Sequence, residues 1–194
     1  MARAERSAAR AAPPATGTPL SPSPVLRVVL AVQLSLFAAE LIIGIVVNLY
    51  LKVPDVHPGS ASAAPGPGYF GDLLAVLAWA LSAGPFALTL HVALGLALIV
   101  LGFVLIPLAR GSGATAITLI TLAALFTLGA AFNGGSFLIF GNDDSLSSLI
   151  MECLFTAAAT CYVITLVRGA RSPASPAAGE PTASGDLAGR DGRR

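Results

Sequence analysis

The stretch from Val25 to Leu51, VLRVVLAVQLSLFAAELIIGIVVNLYL, limits what this chain can fold into more than any other. A helix rises about 1.5 Å per residue, so roughly 20 apolar residues cross the hydrocarbon slab, and this run has several to spare. It also carries a carboxylate, Glu40, in its second half. A charge at that depth costs at least about 2.5 to 3.5 kcal/mol on insertion scales, so Glu40 needs protein, a partner or water beside it. At helical spacing Gln33, Glu40, Gly44 and Asn48 fall near one stripe, and Leu, Ile, Val and Phe cover the rest. That is the pattern of a span with one protein-facing side.

The rest of the chain repeats the theme. Only 11% of the residues are charged, against about a quarter in soluble domains, so the class is integral membrane protein. Three further runs read as spans: residues 86–108, opened by Pro85 and closed by Pro107 and the GSG turn; 114–140, joined to it by that short loop; and 146–167, with Ser145 as a cap. Between the first two spans, KVPDVHPGSASAAPGPGYFG is a proline- and glycine-rich loop. It leads into DLLAVLAWALS, residues 72–82, too short to cross. With Asp72 as N-cap and Trp79 suited to the headgroup zone, this reads as an interfacial helix separated from the next span by Gly84-Pro85. Residues 1–24 and 169–194 are rich in Ala, Pro, Gly and Arg and read as disordered cytoplasmic tails. The expected fold is an all-α membrane protein: an antiparallel four-transmembrane-helix bundle over residues 25–168, with spans 25–51, 86–108, 114–140 and 146–167.

Charge orients it. Of the ten arginines, eight precede span one or follow span four, Arg110 lies between spans two and three, and Arg27 opens span one. Lys52, Asp55, Asp72, Asp143 and Asp144 fall on the opposite side. The positive-inside rule then puts both termini in the cytoplasm of a multi-pass protein of the cell membrane.

In that frame one polar residue from each span reaches a similar level. Glu40, His91, Asn133 and Glu152 lie roughly 8 to 15 Å below the outer surface, each on a face rich in small residues that suits helix contact. We therefore expect an interior polar cluster, with Asn48 nearby and His57 in an outer loop able to fold over it. Two carboxylates near an imidazole can hold protons, coordinate a cation or accept a hydrogen-bonding ligand. The structural alternatives are neutral acids that pin helix register, Asn133 as interhelical glue, His91 as a satisfied histidine and His57 as an ordinary turn residue.

Three functional readings follow. The first is a pocket for a proton, a cation or a small amphiphilic ligand, as part of transport. The second is an accessory or assembly subunit partnered by another membrane protein or by its own copies. The third is a haem or metal redox protein, which a single intramembrane histidine disfavours unless His57 joins it. No G-x-S-x-G, Walker loop, H-E-x-x-H or dinucleotide fingerprint is present, so the sequence defines no enzyme and no cofactor. The arginines mark span ends rather than a nucleic-acid-binding patch. Cys153 and Cys161, eight residues apart in an apolar run, read as buried apolar positions.

The segments VVNLYLKVPDVHPG, LHVALGLALIV, FNGGSFLIF and SSLIMECL resemble a group of small four-span integral membrane proteins of high-GC Gram-positive bacteria. An excess of arginine over lysine of ten to one fits such a genome. The resemblance covers the membrane region and neither tail. It implies the four-span fold and draws attention to Asn48, His57, His91 and Asn133 without giving them roles.

Overall fold

A computed structural model describes residues 23–63, 68–141 and 145–171; both tails, residues 1–22 and 172–194, lie outside it. The described residues are all-α: α1 Pro24–Tyr50, α2 Tyr69–Ser82, α3 Phe86–Leu108, α4 Ala114–Phe140 and α5 Ser145–Arg171, with one 3-10 turn at Ala109–Ser112. Four of them, all but α2, are long and apolar enough to cross a bilayer. This is a helical-bundle, multi-pass membrane protein.

Local chemistry explains the ends. The Ser23 hydroxyl accepts the Leu26 N–H at 3.2 Å and Pro24 occupies the first turn, so α1 begins where a missing donor costs nothing. Pro107 falls in the last turn of α3, which tightens into the 3-10 turn before Gly113, at φ 88°, swings the chain into α4. Two boundaries correct the sequence reading. The short helix begins at Tyr69 rather than Asp72; Gly68 precedes it, and Asp72 sits inside the first turn, where its charge complements the helix dipole. At the other end α5 runs past residue 167 to Arg171, because the Arg27 guanidinium donates to the Gly169 carbonyl at 2.6 Å and satisfies its last turn. Ser145, expected as a cap, is itself the first residue of α5.

The four long helices form a ring in the order α1, α3, α4, α5. On α1 the buried positions Leu26, Leu30, Gln33, Phe37 and Glu40 are spaced four, three, four and three, a continuous stripe. On α3 the buried positions are Leu88, Leu98, Gly102 and Leu105, with Gly102 against Tyr162 of α5 and Ala124 of α4. The closest pairing is α4 with α5, where Gly129 admits Leu154 and Gly134 admits Met151. Toward the end where the termini emerge, Leu26, Leu30, Leu105, Ala109, Ile120 and Tyr162 are wholly buried in one core.

At the opposite end, hereafter the capped end, α2 lies against α3 and α4 through Leu73, Val76 and Ala80, with Leu73 seated on Gly135. Its far side, with Phe70 and Leu74, is exposed and apolar, as suits a lipid boundary. The loop after α1 folds back onto α2. The Ala61 N–H donates to the Ile139 carbonyl at 2.7 Å, and Gly59, at φ 82°, lies directly on the α2 backbone at Asp72.

Candidate functional site: an acid–imidazole pair in a hollow bundle end

Glu40 occupies the last buried position of the α1 stripe, so the helix geometry that packs Leu30 and Phe37 also turns this carboxylate inward. It is 6% exposed. His91 meets it from α3, with Glu40 Oε1 2.9 Å from His91 Nδ1. The oxygen stands off the N–H direction of the ring, making this a close polar contact rather than an aligned hydrogen bond. Glu40 Oε2 is buried and has no protein partner. Glycines make the room: a Cβ on Gly44 would lie 3.4 Å from His91 Cε1, and one on Gly95 3.5 Å from Glu40 Oε1.

Beside the pair the bundle is hollow. A cavity of ≈ 180 Å³ is walled by aliphatic side chains of all four long helices, with Glu40 and His91 on one side and Glu152 and Ser148 of α5 on another. Leu51 and Val53 of the loop and Leu77 of α2 complete it at the capped end. Among the described residues no lysine or arginine lines it.

The six candidate residues therefore separate. Glu40, His91, Asn48 and Glu152 line one cavity; Asn48 and Glu152 do so from exposed positions, and among the described residues Glu40–His91 is the one close contact between a carboxylate and a basic side chain. Asn133 lies outside the lining: its side-chain amide donates to the Ser147 carbonyl at 2.6 Å and clamps α4 to α5. His57 is outside it too, which corrects the expectation that it folds over the cluster. Its ring stacks on Trp79 with centroids 4.3 Å apart, and its Nδ1 lies 3.2 Å from the Pro58 carbonyl, so this histidine fastens the loop to α2.

Sequence reasoning missed Tyr162. Its hydroxyl, wholly buried, faces the side chains of Gln33 and Thr127 at the closed end of the cavity without an aligned hydrogen bond to either. Gln33 donates to the Leu98 carbonyl at 3.1 Å. The available signal was a tyrosine deep within a span, away from the headgroup level where the residue ordinarily sits. Thr127, Thr160 and Thr165 each donate to the carbonyl four residues earlier and are locally satisfied. Cys153 is exposed and Cys161 half-buried, both as free thiols, so Cys153 departs from the buried position expected of it.

Among the described residues no three His, Cys, Asp or Glu side chains converge as a metal ion requires, and with His57 held on Trp79 the redox reading lacks its second histidine. Compared with models of protein families, with curated proteins and with solved structures, the chain matches none. The bundle and its hollow end are thus what define the class: an all-α membrane protein with a buried acid–imidazole pair in a largely apolar cavity.

Proposed function

We propose that this protein binds a small amphiphilic ligand in the capped half of its bundle, with the polar end of the ligand at Glu40 and His91 and its apolar body along the aliphatic walls. The observation that carries the reading is Glu40, a buried residue that lines the cavity and whose Oε2 has no hydrogen-bond partner among the described residues. An acceptor left so in a bilayer interior costs on the order of 1 to 3 kcal/mol, which a donor on a ligand would recover. Ligand sites of this kind are mostly apolar with a few placed polar groups. The distribution of arginines supports placing the capped end on the outer face of the cell membrane, so that the cavity belongs to the outward half.

The test is saturable binding of decylamine or decanol to the protein in lipid nanodiscs. We expect at least one of them to bind, and Glu40→Gln to weaken it at least tenfold with the thermal transition unchanged. Val92→Phe, which fills the cavity from α3, should weaken it as much and serves if the glutamine variant folds poorly. Absence of saturable binding to the wild type, or undiminished binding to both variants, would overturn the reading.

A further inference from the structure

We propose that the seam between α1 and α5 in the capped half is a lateral portal, through which a single-chain cationic amphiphile dissolved in the bilayer brings its charged end to Glu40 and leaves its tail in the lipid. This rests on the ligand-binding reading above and adds the charge of the ligand and its route.

The route follows from which sides of the cavity are closed. Toward the termini, Phe155 lines the cavity and is backed by Phe37, 4.4 Å away ring to ring, which in turn lies 5.7 Å from Tyr162. At the capped end Leu51, Val53 and Leu77 form a roof, held by the Ala61 to Ile139 hydrogen bond and the His57–Trp79 stack. The α1–α3 side is joined at Glu40–His91 and the α4–α5 side at Asn133–Ser147. Between α3 and α4, α2 inserts Leu73 against Gly135. The α1–α5 seam differs. Among the described residues, the ring contacts across it and the Arg27–Gly169 hydrogen bond fall at or beyond Phe37 on the termini side. On the capped side Leu41 and Asn48 of α1 and Glu152 of α5 line the cavity and are exposed as well, against Leu96 alone on α3 and Ala131 alone on α4, so the lining is most open toward this seam. The flanks of that opening are Ile45 and Leu49 on one helix and Leu149 and Ile150 on the other, all exposed. Such flanks face hydrocarbon, so a molecule at the opening comes from the lipid phase.

Volume and charge name the class of occupant. At ≈ 180 Å³ the space is close to the cavities of about 150 Å³ that take up a single benzene ring. It accommodates a head and its first few carbons, and a longer tail has to remain in the seam or the bilayer. Among the described residues the lining has two carboxylates, one imidazole and no lysine or arginine, which makes it complementary to a cation and hostile to a carboxylate or phosphate. Glu152, exposed at the lip, meets the positive head before Glu40 does.

The experiment uses the full chain in nanodiscs of neutral phosphatidylcholine, with decylamine, decanol and decanoate as probes, and reads both affinity and association rate. Leu41→Trp and Ser148→Trp narrow the seam at positions that are not fully buried, and Val56→Trp, on the exposed side of the loop and outside the cavity lining, obstructs the roof. We expect decylamine to bind at least tenfold tighter than decanol and decanoate not to bind. Association of decylamine should slow at least tenfold in at least one seam variant and stay within twofold of wild type in the roof variant. Equal binding of amine and alcohol overturns the assignment of charge. Wild-type association rates in both seam variants overturn the portal, and a slowed roof variant beside them points to entry from water. Failure of all three probes to bind the wild type would instead sink the underlying reading, so the two failures are distinct.

Discussion

The two halves of this bundle are built from the same helices and packed to opposite ends. In the termini half the stripe on α1 is packed into the core: Leu26 and Leu30 are wholly buried beside Leu105, Ile120 and Tyr162, and Arg27 ties α1 to the end of α5. In the capped half the same stripe continues to Glu40, yet beyond it glycines replace large residues at Gly44 and Gly95, and the ring gapes. Lipid tails are as apolar as leucine, so helices in a bilayer associate chiefly through packing and interhelical hydrogen bonds. The sealed half therefore draws its cohesion from side-chain packing, and the capped half from hydrogen bonds such as Asn133 to Ser147 and Ala61 to Ile139. The hollow half is free to give up contacts for a site.

That contrast can be broken by mutation, beginning with the largest expected effect. Tyr162→Ala empties the centre of the sealed half and should cost about 3 kcal/mol or more, read from denaturant titration in micelles. A loss below about 1 kcal/mol would show that cohesion lies elsewhere. Gly59→Ala puts a Cβ at φ 82° against the Asp72 carbonyl and should cost about 2 kcal/mol. Because Trp79 is the single tryptophan, loosening of the loop should also change its fluorescence as the His57 stack is lost. Asn133→Ala removes the clamp on Ser147 and should cost about 0.6 to 1.7 kcal/mol, with ligand binding unchanged because Asn133 lies outside the cavity. Gly95→Ala is the mildest. Its new methyl meets Glu40 Oε1 at an ordinary 3.5 Å, so stability should move by no more than about 0.5 kcal/mol while the narrowed cavity binds decylamine less well.

The spans were legible because a bilayer demands length and apolarity together, and because Pro85, Pro107 and Gly113 punctuate α3 and α4 where they end. The level of Glu40 and His91 was legible for the same reason, since depth can be counted along a helix of known rise. Rotation about the helix axis was not. Asn133 stands at the expected depth but is turned toward Ser147 of α5, and no periodic signal separates that from a turn toward His91. His57 was out of reach in a different way, because a proline-rich turn does not declare the surface it will pack on, and here that surface is Trp79. Tyr162 was hidden among apolar neighbours, its hydroxyl made notable only by the Gln33 and Thr127 side chains that the fold brings to it.

Thiol accessibility compares the two halves most directly. In a background with Cys153→Ser and Cys161→Ala, single cysteines at Val92, which lines the cavity, and at Leu105, which is wholly buried in the sealed core, are exposed to a small membrane-permeant maleimide. The account predicts that Val92→Cys reacts at least tenfold faster than Leu105→Cys and is protected by decylamine. Equal reactivity at the two positions, or a cavity cysteine that the amine leaves unprotected, would contradict it.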